Sequence, residues 1–356
     1  MNRLFISLVL LCAASVSKAT IAPDSIIGRP YKSFDVTAYC SYNSFHPSQY
    51  LTDNNWDILC AFTRAGTRAR LDSLGIKANT SQLRLLEVGG LLKSDGGVYS
   101  TKMPIFSKEA TETIRRESKE FADSIFQSIE PDIRALVGEF EAAGWSRQSY
   151  SLIFSYLLDG YIWDEKRIVP PTDMTDHGTW TGAFWAMYDS RQRLKTGTNG
   201  FGPLHVNWTD SLGYYPGDKA LIQFAQELLK TGARKIENPE VAEKMSAWGL
   251  VDSMGNISVP VMHYGSGDSI DALCCRVSTA LSDAVKSHCV PWSRAHGIES
   301  QDIAQVIFYH EVMWDILDMC EQRGIITMPD ILLGKETGKI HFGDITFIVV
   351  EDSDGE

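Results

Sequence analysis

The sequence predicts an α+β protein that is mainly helical and that repeats one structural unit in tandem. The prediction depends on two stretches, 79–104 and 238–260. Each has an asparagine that caps an amphipathic helix, a Gly-Leu pair at which the helix ends, and a glycine turn that leads into a strand ending on proline. The interval from the capping asparagine to the exit glycine, Gly90 or Gly249, is the same in both stretches. The two helices are therefore expected to have equal length.

The order helix, glycine exit and short hairpin resembles the recognition helix and wing of a winged-helix domain. The resemblance covers only 79–104 and 238–260, and it implies a fold rather than a ligand. The exposed positions of the two helices carry acidic, basic and neutral side chains: Ser81, Gln82, Arg84 and Glu87, then Glu240, Glu243, Lys244 and Ser246. Neither face is basic, and the chain has a formal net charge of −12. Because Lys and Arg supply most affinity for phosphate backbones, a nucleic-acid partner is not expected.

The remaining elements follow from apolar periodicity. Helices are expected over 54–65, around the apolar stripe that begins at Ile114, over 133–143 after a break at Pro131, and over 149–163. The second half repeats this order with helices over 219–231, 270–285 and 300–323. Each half is expected to end in a β segment, at 204–208 and 345–350. The predicted organisation is a signal peptide at 1–19, an extended arm at 20–49, a first winged-helix-like unit at 50–211 with an insertion at 172–195, a second unit at 212–350, and an acidic tail at 351–356.

The first 19 residues indicate export. A basic Arg3, an apolar stretch too short to span a bilayer and a Ser-Lys-Ala pattern predict a signal peptide that is cleaved after Ala19. A secreted or periplasmic protein without a membrane span is the resulting expectation. Six cysteines would remain after cleavage, and Cys40 with Cys60 is the preferred candidate for a disulfide because these two are isolated in sequence from the other four.

Sequence motifs for catalysis and cofactor binding are absent. The chain contains no GxSxG elbow, no Walker loop and no GxGxxG after a strand. His310-Glu311 begins a string like HExxH, but Trp314 occupies the position of the second histidine. His310 is therefore expected to be a core histidine, and no metal or cofactor is expected.

The main candidate for a binding surface is 172–195, because the second half has a much shorter segment at the equivalent place. Loops that bear aromatic and charged side chains commonly host ligands. The candidate ligand-binding residues are Asp173, Asp176, His177, Trp180, Trp185, Tyr188 and Arg191. The competing interpretation is an extra hairpin whose aromatic side chains are buried.

Three functional hypotheses follow, of which the third is a regulator exposed outside the cytoplasm that uses the wings for protein contacts. The first is an exported, non-enzymatic binding or scaffold protein that recognises a protein or a glycan. The second is an extracytoplasmic hydrolase whose site is built from Asp173, Asp176, His177 and His205. A separate expectation concerns Trp248, which is predicted to be largely buried between two halves that pack together.

Overall fold

The computed structural model describes residues 24–163, 167–212, 217–232, 234–335 and 342–351. The predicted signal peptide at 1–19 lies outside the described residues, as do most of the join between the halves and all but the first residue of the acidic tail. Within the described residues, no helix combines the length and the apolar character that crossing a bilayer requires.

The described part of the chain is a mixture of helices and strands, as the sequence predicts. The first half contains β1 (Phe34–Tyr42), α1 (Asn55–Ala61), α2 (Arg68–Ser73), α3 (Thr80–Val88), β2 (Leu92–Asp95), β3 (Val98–Thr101), β4 (Ile105–Phe106), α4 (Lys108–Ala142), α5 (Ser149–Ser151), which continues as a π-helical segment (Leu152–Leu158), and β5 (Trp180–Tyr188). The part of the chain after β5, called the second half from here on, contains β6 (Thr196–Phe201), β7 (Leu204–Thr209), α6 (Asp218–Thr231), α7 (Pro239–Ala247), β8 (Val261–Tyr264), α8 (Ser269–Ala295), α9 (Gln301–Gln322) and β9 (Thr346–Glu351).

The two larger sheets of the described residues share one connection pattern. The first sheet has the order β1-β5-β4, in which β5 is antiparallel to β1 and parallel to β4. The second has the order β6-β7-β9-β8, in which β9 is antiparallel to β7 and parallel to β8. In both sheets, the last strand in the chain order, β5 or β9, thus lies between two strands that come earlier in the chain.

The helices α4, α8 and α9 pack against one another and join the two halves. The larger of two hydrophobic clusters contains residues from both halves, including the buried Phe126, Phe154 and Phe308. The smaller cluster lies within the first half, around α1, α3 and one face of β5. Strand β5 separates the clusters, because Trp185 enters the larger one and Trp180 the smaller one.

The predicted helix ends are confirmed. The Asn79 side chain accepts a hydrogen bond from the backbone N–H of Gln82, and the Gln82 side chain accepts one from the backbone N–H of Asn79. Together these two bonds form a complete capping box. The Asn238 side chain likewise caps α7. Gly90 and Gly249 have φ angles of 71° and 73°, which glycine adopts without a steric penalty.

Several other expectations are corrected. Segment 20–49 contributes β1 rather than only an extended arm, and segment 172–195 contributes β5, the central strand of the first sheet. Helix α4 passes through Pro131 without a break. Cys40 and Cys60 are free thiols, as are the other four cysteines among the described residues, so the expected disulfide is not formed.

The expectation for Trp248 is also wrong. Its side chain is only half-buried, and its ring contacts Phe342 of the same half at a centroid distance of 6.1 Å. Trp292, by contrast, is buried between the halves, where its Nε1 donates to a carboxylate oxygen of Glu117 at 2.8 Å.

We therefore expect Trp248→Ala to lower the free energy of unfolding by about 1 kcal/mol and Trp292→Ala by about 3–5 kcal/mol, the usual range for a buried tryptophan. The difference arises because only Trp292 leaves a buried cavity between α4 and α8 and removes one of the hydrogen bonds to Glu117, whose carboxylate keeps His296 as a partner. Urea denaturation of both variants measures these values. Equal losses would contradict the packing described here.

Candidate functional site

A cleft of about 440 Å³ opens where β1, the end of the helical segment after α5, the 191–197 segment and α9 meet. Aromatic rings form much of its wall: Tyr39, Phe154, Trp163, Trp208 and Trp314. Ionisable side chains complete it: Asp35, Asp159, Arg191, Arg193, Lys195, His310 and Glu311. Few other places in the described chain bring so many rings and titratable groups together, and such a combination is typical of ligand sites.

Trp163 is central to the aromatic wall. Its ring centroid lies 4.2 Å from that of Tyr39 and 5.1 Å from that of His310. The Trp163 side chain is only half-buried, so part of its ring remains open to a ligand. The Tyr39 hydroxyl is buried and has no hydrogen-bond partner among the described residues, although buried polar groups normally find one. The wall therefore offers an apolar surface and an unused polar group.

His310 is a neutral acceptor at physiological pH. Burial lowers the pKa of His310 to about 4, against the opposing effects of its hydrogen bond and of Glu311. Its Nδ1 lies 2.8 Å from the carbonyl oxygen of Val306 and donates to it, so Nε2 keeps its lone pair. The expected core histidine is thus hydrogen-bonded in the predicted manner, but it also lines the cleft.

Asp159 is the carboxyl group with the most unusual environment in the cleft. Burial raises the pKa of Asp159 to about 7, although a hydrogen bond from Trp163 opposes the increase. The Trp163 Nε1 donates to Asp159 Oδ1 at 3.4 Å, and no described Lys or Arg forms an ion pair with this carboxylate. Near neutral pH, both the protonated and the ionised form are populated, so Asp159 can donate or accept a hydrogen bond.

A network of ion pairs fixes one wall of the cleft. One oxygen of Glu311 accepts from Arg115 Nε at 3.1 Å and from Arg191 Nη2 at 2.9 Å. Arg191 Nη1 also lies 3.0 Å from Asp315, and Arg115 Nη2 lies 2.6 Å from Asp35. Burial alone would lower the pKa of Arg191, but the carboxylates of Glu311 and Asp315 raise it above its ordinary value. Arg191 therefore remains charged, and the network holds α4, α9, β1 and the 189–193 segment together.

Arg193 extends this wall. Its guanidinium lies over the Trp314 ring, 4.7 Å from the centroid, and pairs with Asp318. Trp314 also contacts Phe154, whose ring is stacked on it at a centroid distance of 5.2 Å. Both arginines of the cleft are therefore already paired with carboxylates, which leaves them little capacity to bind an anionic ligand.

Of the residues predicted for the site, Arg191 is the one that lines this cleft. Trp180 and Trp185 are core residues, and Tyr188 packs against Phe34 at 5.0 Å. Asp173 and Asp176 are exposed. His177 stacks on Trp180 at 3.8 Å, and burial lowers its pKa to about 4.

His205, a candidate for the hydrolase, stacks on Phe347 at 5.1 Å and does not line the cleft. Asp159 and Trp163 were not predicted for the site. The two residues are four positions apart at the end of a predicted helix, a spacing that brings side chains together. This spacing is the signal from which contact between a carboxyl and an indole N–H could have been predicted. The described residues contain no group of three or more His, Cys, Asp or Glu side chains arranged to hold a metal ion.

Comparison of the chain with protein-family models, curated proteins and solved structures found no match.

The pKa of Asp159 leads to a prediction about stability. The folded-state pKa is raised above the unfolded value, so the stabilising contribution of the neutral carboxyl is complete below about pH 4 and is lost as pH rises through about 7. Relative to Asp159→Asn, the wild type should lose about 2 kcal/mol between pH 4 and pH 8. This is less than the full shift implies, because Asp159 is partly exposed.

Denaturant unfolding of the two proteins at several pH values measures this loss, and Asp173→Asn, at an exposed carboxyl, serves as the control. Parallel stability curves for the wild type and Asp159→Asn would contradict the raised pKa.

Proposed function

We propose that this protein is a binding protein that holds a saccharide unit of a glycan in the cleft between β1 and α9. The observation that carries the proposal is the half-buried Trp163 ring, which is flanked by Asp159 and by the unpartnered hydroxyl of Tyr39. A pyranose ring has an apolar C–H face and a rim of hydroxyls. An aromatic surface beside hydrogen-bonding groups matches both parts.

The polar groups of the cleft suit hydroxyl partners. His310 offers an acceptor, Tyr39 a hydroxyl, and Asp159 either a donor or an acceptor near neutral pH. Hydroxyls can satisfy each of these groups, because a hydroxyl both donates and accepts. The cleft volume of about 440 Å³ lies within the range of roughly 300–1,000 Å³ typical of small-ligand sites.

We infer that the chain is a tandem duplication, with units bounded differently from those expected. The shared strand pattern supports this inference, because β1, β4 and β5 correspond in order and direction to β7, β8 and β9. This correspondence equates β7 with β1 rather than with β9. The second unit then begins near 204, and β5 is a regular element of the first unit rather than part of an insertion.

The winged-helix resemblance gains support from the order of elements in the first half. Between α1 and α2, Gly66 forms a single bridge with Tyr99 of β3, so the order is helix, single bridge, two helices and a two-stranded wing. The second half retains α6, α7 and single bridges at Lys235–Asn256 and Val251–Ile257, with no helix between Lys235 and the α7 cap. We propose a structural role for these units. We also propose that the chain is exported, because segment 1–19 has the pattern of a signal peptide.

A hydrolase is the second candidate, and Asp159 is the observation that favours it. A carboxyl with a pKa of about 7 beside a tryptophan is suited to donate a proton to a leaving group. Glu311 in the same cleft accepts hydrogen bonds from two arginines. Glycoside hydrolysis uses one carboxyl group as an acid and a second as a nucleophile or base, and both arginines would weaken Glu311 in the second role.

For the binding function, we expect Trp163→Ala to raise the dissociation constant at least tenfold, about 1.4 kcal/mol, because the stacking surface is lost. Isothermal titration calorimetry with di- and trisaccharides of glucose and of N-acetylglucosamine measures this change. The matched control is Trp248→Ala, which removes a half-buried tryptophan outside the cleft and should leave the dissociation constant unchanged. Equal effects of the two substitutions, or no binding by the wild type, would refute the proposal.

For the hydrolase, release of reducing ends from oligosaccharides, whose sugar leaving group needs a proton, should fall as pH rises above about 7, the pKa of Asp159. Asp159→Asn should reduce the rate about 100-fold or more, the contribution expected of a general acid. Asp173→Asn should have no effect, because Asp173 lies outside the cleft. If Asp173→Asn lowers the rate and Asp159→Asn does not, the active site lies in the 172–195 segment rather than in the cleft.

A further inference from the structure

Two further clefts adjoin the candidate site. The first, of about 370 Å³, shares Arg193 and Leu194 with it and is otherwise lined by Asp318, Glu321, Ile326, Thr327, Met328 and Leu333. The second, of about 530 Å³, shares Ile326, Thr327 and Met328 with the first and reaches Arg147, Ser149 and Asp344. We propose that the three clefts form one groove that binds a linear oligosaccharide, longer than a disaccharide and uncharged or bearing amino groups. This inference rests on the proposed saccharide binding at Trp163.

The path of the groove follows helix α9. Glu311 and Trp314 line the candidate site, whereas Asp318 and Glu321 line the adjoining cleft. These four residues are spaced by three, four and three positions, so they lie on one face of the helix. At a rise of 1.5 Å per residue they span about 15 Å. A ligand that follows this face is therefore extended rather than compact.

The surface of the two adjoining clefts is apolar in the middle and polar at the edges. Leu194, Ile326, Met328 and Leu333 supply the apolar part. At the far end, Ser149 is buried, and its hydroxyl has no hydrogen-bond partner among the described residues. An unpartnered buried hydroxyl that lines a cleft is a group that a ligand hydroxyl can satisfy. The far cleft thus repeats the chemistry seen at Tyr39.

The charges of the two adjoining clefts define the class of oligosaccharide. Their linings contain five carboxylates, Glu141, Asp318, Glu321, Asp330 and Asp344, against two arginines, Arg147 and Arg193. Both arginines are already paired, Arg193 with Asp318 and Arg147 with Asp344, and Lys335 outside the linings pairs with Asp330. The surplus of negative charge repels uronic acids and sulfated sugars and attracts ammonium groups. Neutral or amino-substituted chains are therefore expected to bind, and anionic chains are not.

The test uses the full chain and calorimetric titration with cello-, malto- and chito-oligosaccharides of two to six units, together with glucosamine oligomers. For the series that binds, the dissociation constant should fall at least tenfold between two and five units. Thr327 is exposed in the wall shared by the two adjoining clefts. Thr327→Trp should therefore block the groove at this point. The affinity for the five-unit oligosaccharide should fall to that for the two-unit oligosaccharide, and the affinity for two units should not change.

The control is Ser94→Trp, which adds the same bulk at an exposed position of β2, far from the groove in the chain order and outside its lining. Thr327→Tyr serves as the second variant if the tryptophan lowers the thermal midpoint. Equal affinity for short and long chains, or no effect of either substitution, would overturn the groove while leaving the Trp163 site intact. Absence of saccharide binding at every length would overturn both proposals. Binding of a lysine-containing hexapeptide, with no binding of any saccharide, would also overturn both.

Discussion

The architecture depends on the sharing of one carboxylate, Glu311, by two guanidinium groups. Arg115 and Arg191 reach the same oxygen from α4 and from the segment after β5, while Arg115 also binds Asp35 of β1. Each of these charges is partly or fully withdrawn from water, so the loss of one would leave another unpaired at a cost of several kcal/mol. The network thereby fixes how the first sheet sits on the helices, and the cleft exists because of that placement.

Local features of the fold could be predicted because short-range physics decides them. The capping box at Asn79 and the left-handed glycines at the helix exits need only neighbouring residues. Strand β5 was missed because both of its faces are buried, which removes the alternation that identifies a strand with one solvent-exposed face. The expected break at Pro131 was overridden by burial of Ile129 and Ile133 on either side of the proline.

The site could be predicted only in part, for a similar reason. Aromatic and charged side chains in 172–195 indicated a ligand surface, yet Trp180 and Trp185 stabilise the two cores, and Arg191 is the residue that reaches the cleft. Asp159 and Trp163 are neighbours along the chain and gave a local signal. Their meeting with Tyr39 and His310 comes from the packing of β1 against α9, which no sequence pattern encodes.

The position of β5 and β9 inside their sheets has a consequence for how the chain folds during synthesis. The first sheet lacks its central strand until residue 188 has left the ribosome, and the second lacks its own until residue 351 has done so. Pairing across such sequence separations is slow, because the loop entropy is lost before the contacts form. The cleft draws on residues from Asp35 to Trp314, so it is completed only after α9 docks on the first half. The nascent chain thus completes this cleft late in its synthesis.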